Sequence, residues 1–433
     1  MDPAGGRPHG KIGAIVRVAG CNFIEAYDFV VYGYYAAYIA AAFFPAKSQF
    51  ASLMLSLVTF GAGYLMRPLG AIVLGSYMDR KGRRNGLIVA LSLMAAGTLS
   101  IAVTPSYAAI GLAAPVIIIV GRLVQGFSAG AEFGGVAIYL SEIATPGRRG
   151  FYCSWQGVSQ QVAVVVAAFF GFALTQAVTP DQMQAWGWRI PLFAGLAAIP
   201  LILWLRSSLK ETDAFRRRQH PHSTREVLDM LTANWKLVVT GIALTVMTTV
   251  SFYLITAYTP TYARAALHMA PRTFFLATFL IGISNLVWLP IGGALSDRFG
   301  TRQLMLIATG AAVVTAYPAM LWLVNAPDLA RLIAVLFLYS LYFGLYYGAM
   351  TPLLAEIMPE QIRTAGFALA FVTSTAIFGG FTPAICTWLI EMSGNRAAPA
   401  LWLSFAAAIS FFTVWLMPVL ITAPARLRTA PAQ

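Results

Sequence analysis

The sequence predicts an all-α membrane protein: twelve transmembrane helices arranged as two pseudo-symmetric six-helix bundles. Three observations predict it. Hydrophobic residues make up 59% of the 433-residue chain and charged residues only 10%, where a soluble protein carries about a quarter charged. Twelve apolar stretches each reach the roughly 20 residues that a bilayer-crossing helix needs. One polar pattern also occurs twice. The run Gly75 to Arg84, G-x-x-x-D-R-x-G-x-R in outline, returns 218 positions later from Gly293 to Arg302.

In chain order the spans are expected over 14–44, 50–76, 85–104, 110–143, 150–178 and 188–207, then 236–264, 272–296, 303–324, 330–356, 364–391 and 398–421. Spans longer than 20 residues allow tilt or protrusion. The duplicated pattern falls after spans two and eight. A second pair, Ser141-Glu142-Ile143 with Arg149 and Ala355-Glu356-Ile357 with Arg363, follows spans four and ten. Two repeats in matching order imply two homologous halves built of membrane helices, which is the plan of a transporter. The long polar stretch 208–235 separates spans six and seven. The expected division is therefore a bundle over 1–207, a linker over 208–235 and a bundle over 236–433. No cleavable-signal pattern precedes span one, so that span is expected to be retained.

The net charge of +13 reflects topology. With both termini cytoplasmic, inner segments hold 21 of the 29 Lys and Arg, outer loops hold six, and Arg67 and Arg122 lie within spans. That asymmetry follows the positive-inside rule and leaves no nucleic-acid role to explain. Cys21, Cys153 and Cys386 have no metal or redox spacing and read as packing residues. The four His, at 9, 220, 222 and 268, lie in termini, loops or helix ends. No nucleophile–base or metal cluster is expected, and no cofactor, so an enzyme is disfavoured.

Ionised groups inside spans cost at least about 2.5–3.5 kcal/mol each if they face lipid. Glu25, Asp28, Arg67, Arg122 and Glu132 must therefore face protein or a wet cavity. Asn22, Glu25, Asp28 and Tyr32 form one polar face of span one. Glu25, Asp28 and Glu132 are the candidate proton-coupling acids; the alternative for each is structural pairing with an arginine. Arg67 and Glu132 are read first as helix-locking partners. Arg122 lies about 18 Å along span four, near mid-bilayer, with Gln125 one turn on. Its planar fork suits a carboxylate, and the alternative is an internal pair with a span-one acid. Gln156 and Gln160 on span five offer amide donors and acceptors, or helix-to-helix hydrogen bonds. In the second half Tyr258, Asn285, Tyr342, Tyr346 and Tyr347 are candidate ligand contacts, against the commoner packing role of aromatic stripes. In the loops Asp79, Arg80, Arg84, Glu142, Arg149, Asp297, Arg298, Glu356 and Arg363 are candidate gating residues, through ion pairs and helix-end contacts.

The duplicated loops resemble the signature of the major facilitator superfamily, over the whole chain. Asn22-Phe23-Ile24-Glu25-Ala26-Tyr27-Asp28-Phe29, Arg67-Pro68-Leu69-Gly70, Gly121-Arg122-Leu123-Val124-Gln125-Gly126 and Trp186-Gly187-Trp188-Arg189-Ile190-Pro191 resemble its metabolite–proton symporter branch. Tyr139-Leu140-Ser141-Glu142 with Ile143 to Gly147, the run Phe252 to Tyr262 and Ile377-Phe378-Gly379-Gly380-Phe381-Thr382-Pro383 are most similar to citrate and tricarballylate carriers. Cys21 departs from the glycine usual before that asparagine.

The resemblance implies a secondary active transporter of the inner membrane. It would import citrate or a close tricarboxylate with protons by alternating access, as a monomer in lipid. The alternatives are a dicarboxylate, an aromatic acid or a zwitterionic osmolyte as cargo, and sodium as coupling ion.

Overall fold

The computed structural model describes residues 23, 25–81, 83–130, 133–207 and 224–422, and every regular element among them is helical. Asn22, Glu132 and 208–223 lie outside the described residues, as do the side chains of Asp79, Arg80 and Arg84. Eight of the described helices are long and apolar enough to cross a membrane, and two shorter apolar ones, Ile88–Val103 and Ala113–Ala129, accompany them.

In the first half residues 25–34 form a helix that turns at Tyr35 and resumes as Ala36–Phe43. Ser48 then caps Gln49–Leu65 by accepting from the Ala51 amide at 3.1 Å. A turn at Met66 joins this helix to Arg67–Lys81, because Pro68 has no N–H to return to Tyr64. Arg83–Val103, Ala113–Ala129 with Phe133–Ile143, Arg149–Ala177 and Ile190–Ser207 complete the half. The second half runs through Trp235–Ile255, Pro271–Phe299, Thr301–Asn325, Leu329–Ile357, Arg363–Ser374 and Pro399–Thr422.

The observed helices follow the expected spans to within a few residues at most ends; beyond the turns at Tyr35 and Met66, which break spans one and two, three more differences stand out. Span seven, expected unbroken over 236–264, stops at Ile255 and restarts as Thr259–Ala265. Pro260 is the cause, since its ring excludes the Thr256 carbonyl one turn back. Span eleven is interrupted by a π-helical turn, Thr375–Gly379, before Thr382–Ser393 begins with Pro383 in its first turn. The expected linker ends in a helix, Thr224–Ala233, whose Leu231 packs with Val238 and Ile362.

Small residues set the helix crossings, as they do where lipid removes the hydrophobic incentive to associate. A side chain on Gly126 would strike the Gly63 backbone, so Gln49–Leu65 and Ala113–Ala129 cross in direct backbone contact. The two halves meet along Arg149–Ala177 and Pro271–Phe299, which run antiparallel. Gly150 packs on Gly293, Val165 on Gly282 and Gly171 on Phe275. A second seam joins Gly61 and Tyr64 to Phe381 and Gly380. Between these seams lies the site.

Candidate functional site

A small cavity sits between the halves. The first half lines it with Glu25, Phe29, Arg67 and Gln160, the second with Thr248, Tyr253, Tyr347 and Thr375, among others. Its free volume is about 30 Å³, the space of one water molecule. Tyr347 packs on Gly157 toward one end, while Tyr34 and Tyr35 pack on Phe275 toward the other. The arrangement is closed, and the halves must separate before any organic molecule enters.

Two buried guanidinium groups share the first half. Arg67 pairs with Glu25 at 2.9 Å on the cavity wall. Arg122 lies behind that wall, within 4.5 Å of the ring centres of Phe29 and Tyr32 and 5.2 Å from that of Phe60. The Phe29 ring stands between the two cations, its centre also 4.4 Å from Arg67. Each cation–ring contact is worth about 2 kcal/mol when desolvated as here. The two positive charges would nonetheless repel each other without the nearby acids.

Arg122 reaches its acid indirectly. It donates to Gln125 Oε1 at 2.8 Å and to the Phe60 carbonyl at 3.4 Å. Gln125 Nε2 donates to Thr98 Oγ1 at 2.8 Å, and Thr98 in turn donates to Asp28. All four side chains are fully or almost fully buried. The expected span-one pairing thus takes two forms: a direct ion pair for Glu25 with Arg67, and a four-residue chain for Asp28 with Arg122.

The other expected contacts separate into two groups. Gln160 and Tyr347 line the cavity. Tyr32 lies under Arg122 and donates to the Ser56 carbonyl at 3.4 Å, and Gln156 is buried. In the second half, Tyr258 accepts from Thr387 at 3.2 Å, Tyr342 bonds Thr315 at 2.6 Å, and Tyr346 donates to the Leu244 carbonyl at 2.7 Å. Asn285 donates to Gln161 at 2.9 Å across the seam and accepts from Ser340 at 2.6 Å. These four side chains are engaged with protein and line no part of the cavity.

Sequence reasoning missed Thr248 and Thr375. Both hydroxyls are buried on the cavity wall and have no hydrogen-bond partner among the described residues. Thr248 lies one turn after Thr245, in a hydroxyl-rich stretch of an otherwise apolar span, which was the available signal. Thr375 opens the π-helical turn, a distortion that often marks a functional position.

Toward one face, a cleft of about 770 Å³ is lined by Glu142, Arg149, Asp297, Glu356 and Arg363. Asp297 accepts from the backbone amides of Gly150 at 2.7 Å and Phe151 at 2.9 Å. A carboxylate of the second half thereby caps the first turn of Arg149–Ala177 in the first, where unpaired N–H groups and the helix dipole favour an anion. Arg298 lies over the Phe299 ring instead, 5.3 Å from its centre.

A family model described as "Sugar (and other) transporter" matches residues 14–424. The chain is 54% identical over 398 residues to a citrate-proton symporter of Salmonella typhi, covering 92% of each. It is 54% identical over 407 residues to a citrate-proton symporter of Klebsiella pneumoniae, covering 94% of this chain and 91% of the relative. Among solved structures it resembles a D-xylose-proton symporter with a TM-score of 0.75 at 17% identity, covering 95% of this chain and 97% of the other; that likeness concerns the fold.

Proposed function

The chain belongs to the sugar (and other) transporter family of major facilitator proteins, and on that premise we propose that it imports citrate together with protons. The observation that carries this reading is the Glu25–Arg67 pair on the wall of a closed cavity between two halves. An arginine fork matches a carboxylate, and Glu25 occupies it. A citrate carboxylate can take the same place when a proton neutralises Glu25. Proton and substrate then enter the closed site together, and neither is well accommodated alone.

The second half supplies neutral donors opposite this charge, the hydroxyls of Thr248 and Thr375 with the phenol of Tyr347. Arg122 adds positive potential from behind Phe29, and Asp28 is a second proton carrier. Citrate is trivalent, so inward movement driven by the membrane potential requires that entering protons outweigh the anion's charge. Gating falls to Asp297 with Glu142, Arg149, Glu356 and Arg363, and to Asp79, Arg80 and Arg84 at the matching loop. Both termini are cytoplasmic by the distribution of Lys and Arg, and the halves divide at 208–235. The protein works as a monomer in the inner membrane.

The test is uptake of radiolabelled citrate into proteoliposomes under an imposed pH gradient in sodium-free medium. The reading predicts uphill accumulation that an uncoupler abolishes. Accumulation that needs sodium, or none with citrate, overturns it.

A further inference from the structure

Thr98 joins Asp28 to the Gln125 amide. Its hydroxyl lies between two groups whose demands conflict when Asp28 changes charge. As a carboxylate, Asp28 can only accept, and once protonated it must also donate. On the other side the Gln125 amide has no freedom to adapt. Its carbonyl oxygen accepts from Arg122, a group that can only donate, so its nitrogen must face Thr98 as a donor. Thr98 is left as the single adjustable link.

We infer that Thr98 is the positioning residue that lets Asp28 gain and lose its proton while tied to Arg122. This inference rests on the reading of Asp28 as a proton carrier. A threonine hydroxyl has one proton and two lone pairs, and the structure offers two acceptors for that proton: Asp28 and the Met94 carbonyl at 3.0 Å. With Asp28 ionised, the hydroxyl donates to it and accepts from Gln125. With Asp28 protonated, the hydroxyl turns to Met94 and accepts from both Asp28 and Gln125. One rotation about a C–O bond serves both states. The transported proton resides on Asp28, and no bond of Thr98 breaks. Gln125 and Arg122 hold their places throughout.

The surroundings leave few other groups to do this. Helix 25–34 brings Tyr27 next to Asp28, while Ile190–Ser207 presents Gly195, which has no side chain to offer. Ala113–Ala129 contributes the Arg122 charge, reached through Gln125. Glu25 and Arg67 lie across the Phe29 ring from Arg122, and Tyr64 stands beside both guanidinium groups. The whole chain is buried, where a polar group without a partner is most costly.

The experiment compares Thr98→Val, which keeps the shape and removes the hydroxyl, with Thr98→Ser, which keeps the hydroxyl. Both are measured for radiolabelled citrate uptake in proteoliposomes as a function of pH. Thr98→Val is expected to displace the midpoint of the pH profile by about one unit, the size expected when a buried carboxylate loses one donor, and to lower pH-driven accumulation about tenfold. Thr98→Ser restores both. If Thr98→Val does not fold, Thr98→Cys takes its place, since a thiol is a far weaker donor of similar size.

A wild-type pH profile in Thr98→Val, or equal damage in Thr98→Ser, overturns the inference. Asp28→Asn alone separates the two layers. If it keeps full pH-dependent accumulation, the proton-carrier reading fails. If it abolishes accumulation while Thr98→Val behaves as wild type, only the role of Thr98 fails.

Discussion

Glu25 and Arg67 form a 2.9 Å ion pair on the wall of the cavity that separates the two halves of the molecule. Both side chains are about 5% exposed, so neither charge has bulk water as an alternative partner. Removing one member of a buried pair typically costs about 3–5 kcal/mol, because the other is left uncompensated. A substrate carboxylate can relieve that cost for Arg67 if Glu25 is neutral. Arg67→Gln should therefore raise the KM for citrate at least about tenfold, a loss of roughly 1.4 kcal/mol. Arg67→Lys should not rescue it, since an ammonium lacks the planar fork. Initial-rate uptake across citrate concentrations checks this.

Phe29 separates Arg67 from Arg122, facing both guanidinium groups at 4.4–4.5 Å. Phe29→Ala removes a core ring and two cation contacts. It should destabilise the protein by about 3–5 kcal/mol, read as a lowered Tm in detergent. Phe29→Tyr keeps the ring and should stay near wild type in the same assay.

Thr248 and Thr375 present unpartnered hydroxyls to the cavity. Thr248→Val and Thr375→Val remove those donors at nearly constant shape. Each should raise the KM for citrate about tenfold, as loss of one hydrogen bond to a charged group predicts, while leaving Tm unchanged or slightly higher. Parallel uptake and melting curves decide it.

Asp297 caps the first turn of a helix in the opposite half. A helix-end anion of this kind contributes about 0.3–2 kcal/mol, and this contribution exists only while the halves are closed at that face. Asp297→Asn should shift the population toward opening there by a few-fold or more. A cysteine placed at Thr248 and labelled from that face reports it: labelling should speed up in the Asp297→Asn background.

Gly150 and Gly293 meet at the same face with no room for a side chain between them. Gly293→Ala should hold this face apart, abolishing transport while the protein still folds. A monodisperse elution profile together with lost citrate uptake is the expected result.

The membrane class, the twofold plan and most helix ends were legible in the sequence, because an apolar run with rare charges has few other meanings. Glu25 and Asp28 stood out for the same reason. The choice between the two arginines was not legible. Arg67 follows a proline-induced turn and faces the cavity, while Arg122 is packed behind aromatic rings. That outcome depends on how Gln49–Leu65 crosses Ala113–Ala129 at Gly63 and Gly126, a tertiary fact. Tyr258, Tyr342, Tyr346 and Asn285 lie at suitable depths but are engaged in internal hydrogen bonds. Helical spacing gives a shared face without saying what that face meets. Thr248 was hidden among threonines such as Thr245 and Thr249, whose hydroxyls bond their own helix, a local habit that sequence cannot tell from an exposed donor.

If a proton on Glu25 frees Arg67 for a citrate carboxylate, protons are taken up together with the ligand. Calorimetry of citrate binding to purified protein, repeated in buffers of different ionisation enthalpy, counts the protons taken up with the ligand. Wild type should take up protons on binding, and Glu25→Gln should take up fewer while still binding citrate. Equal proton uptake by the two proteins would show that Glu25 is not the group that takes the proton.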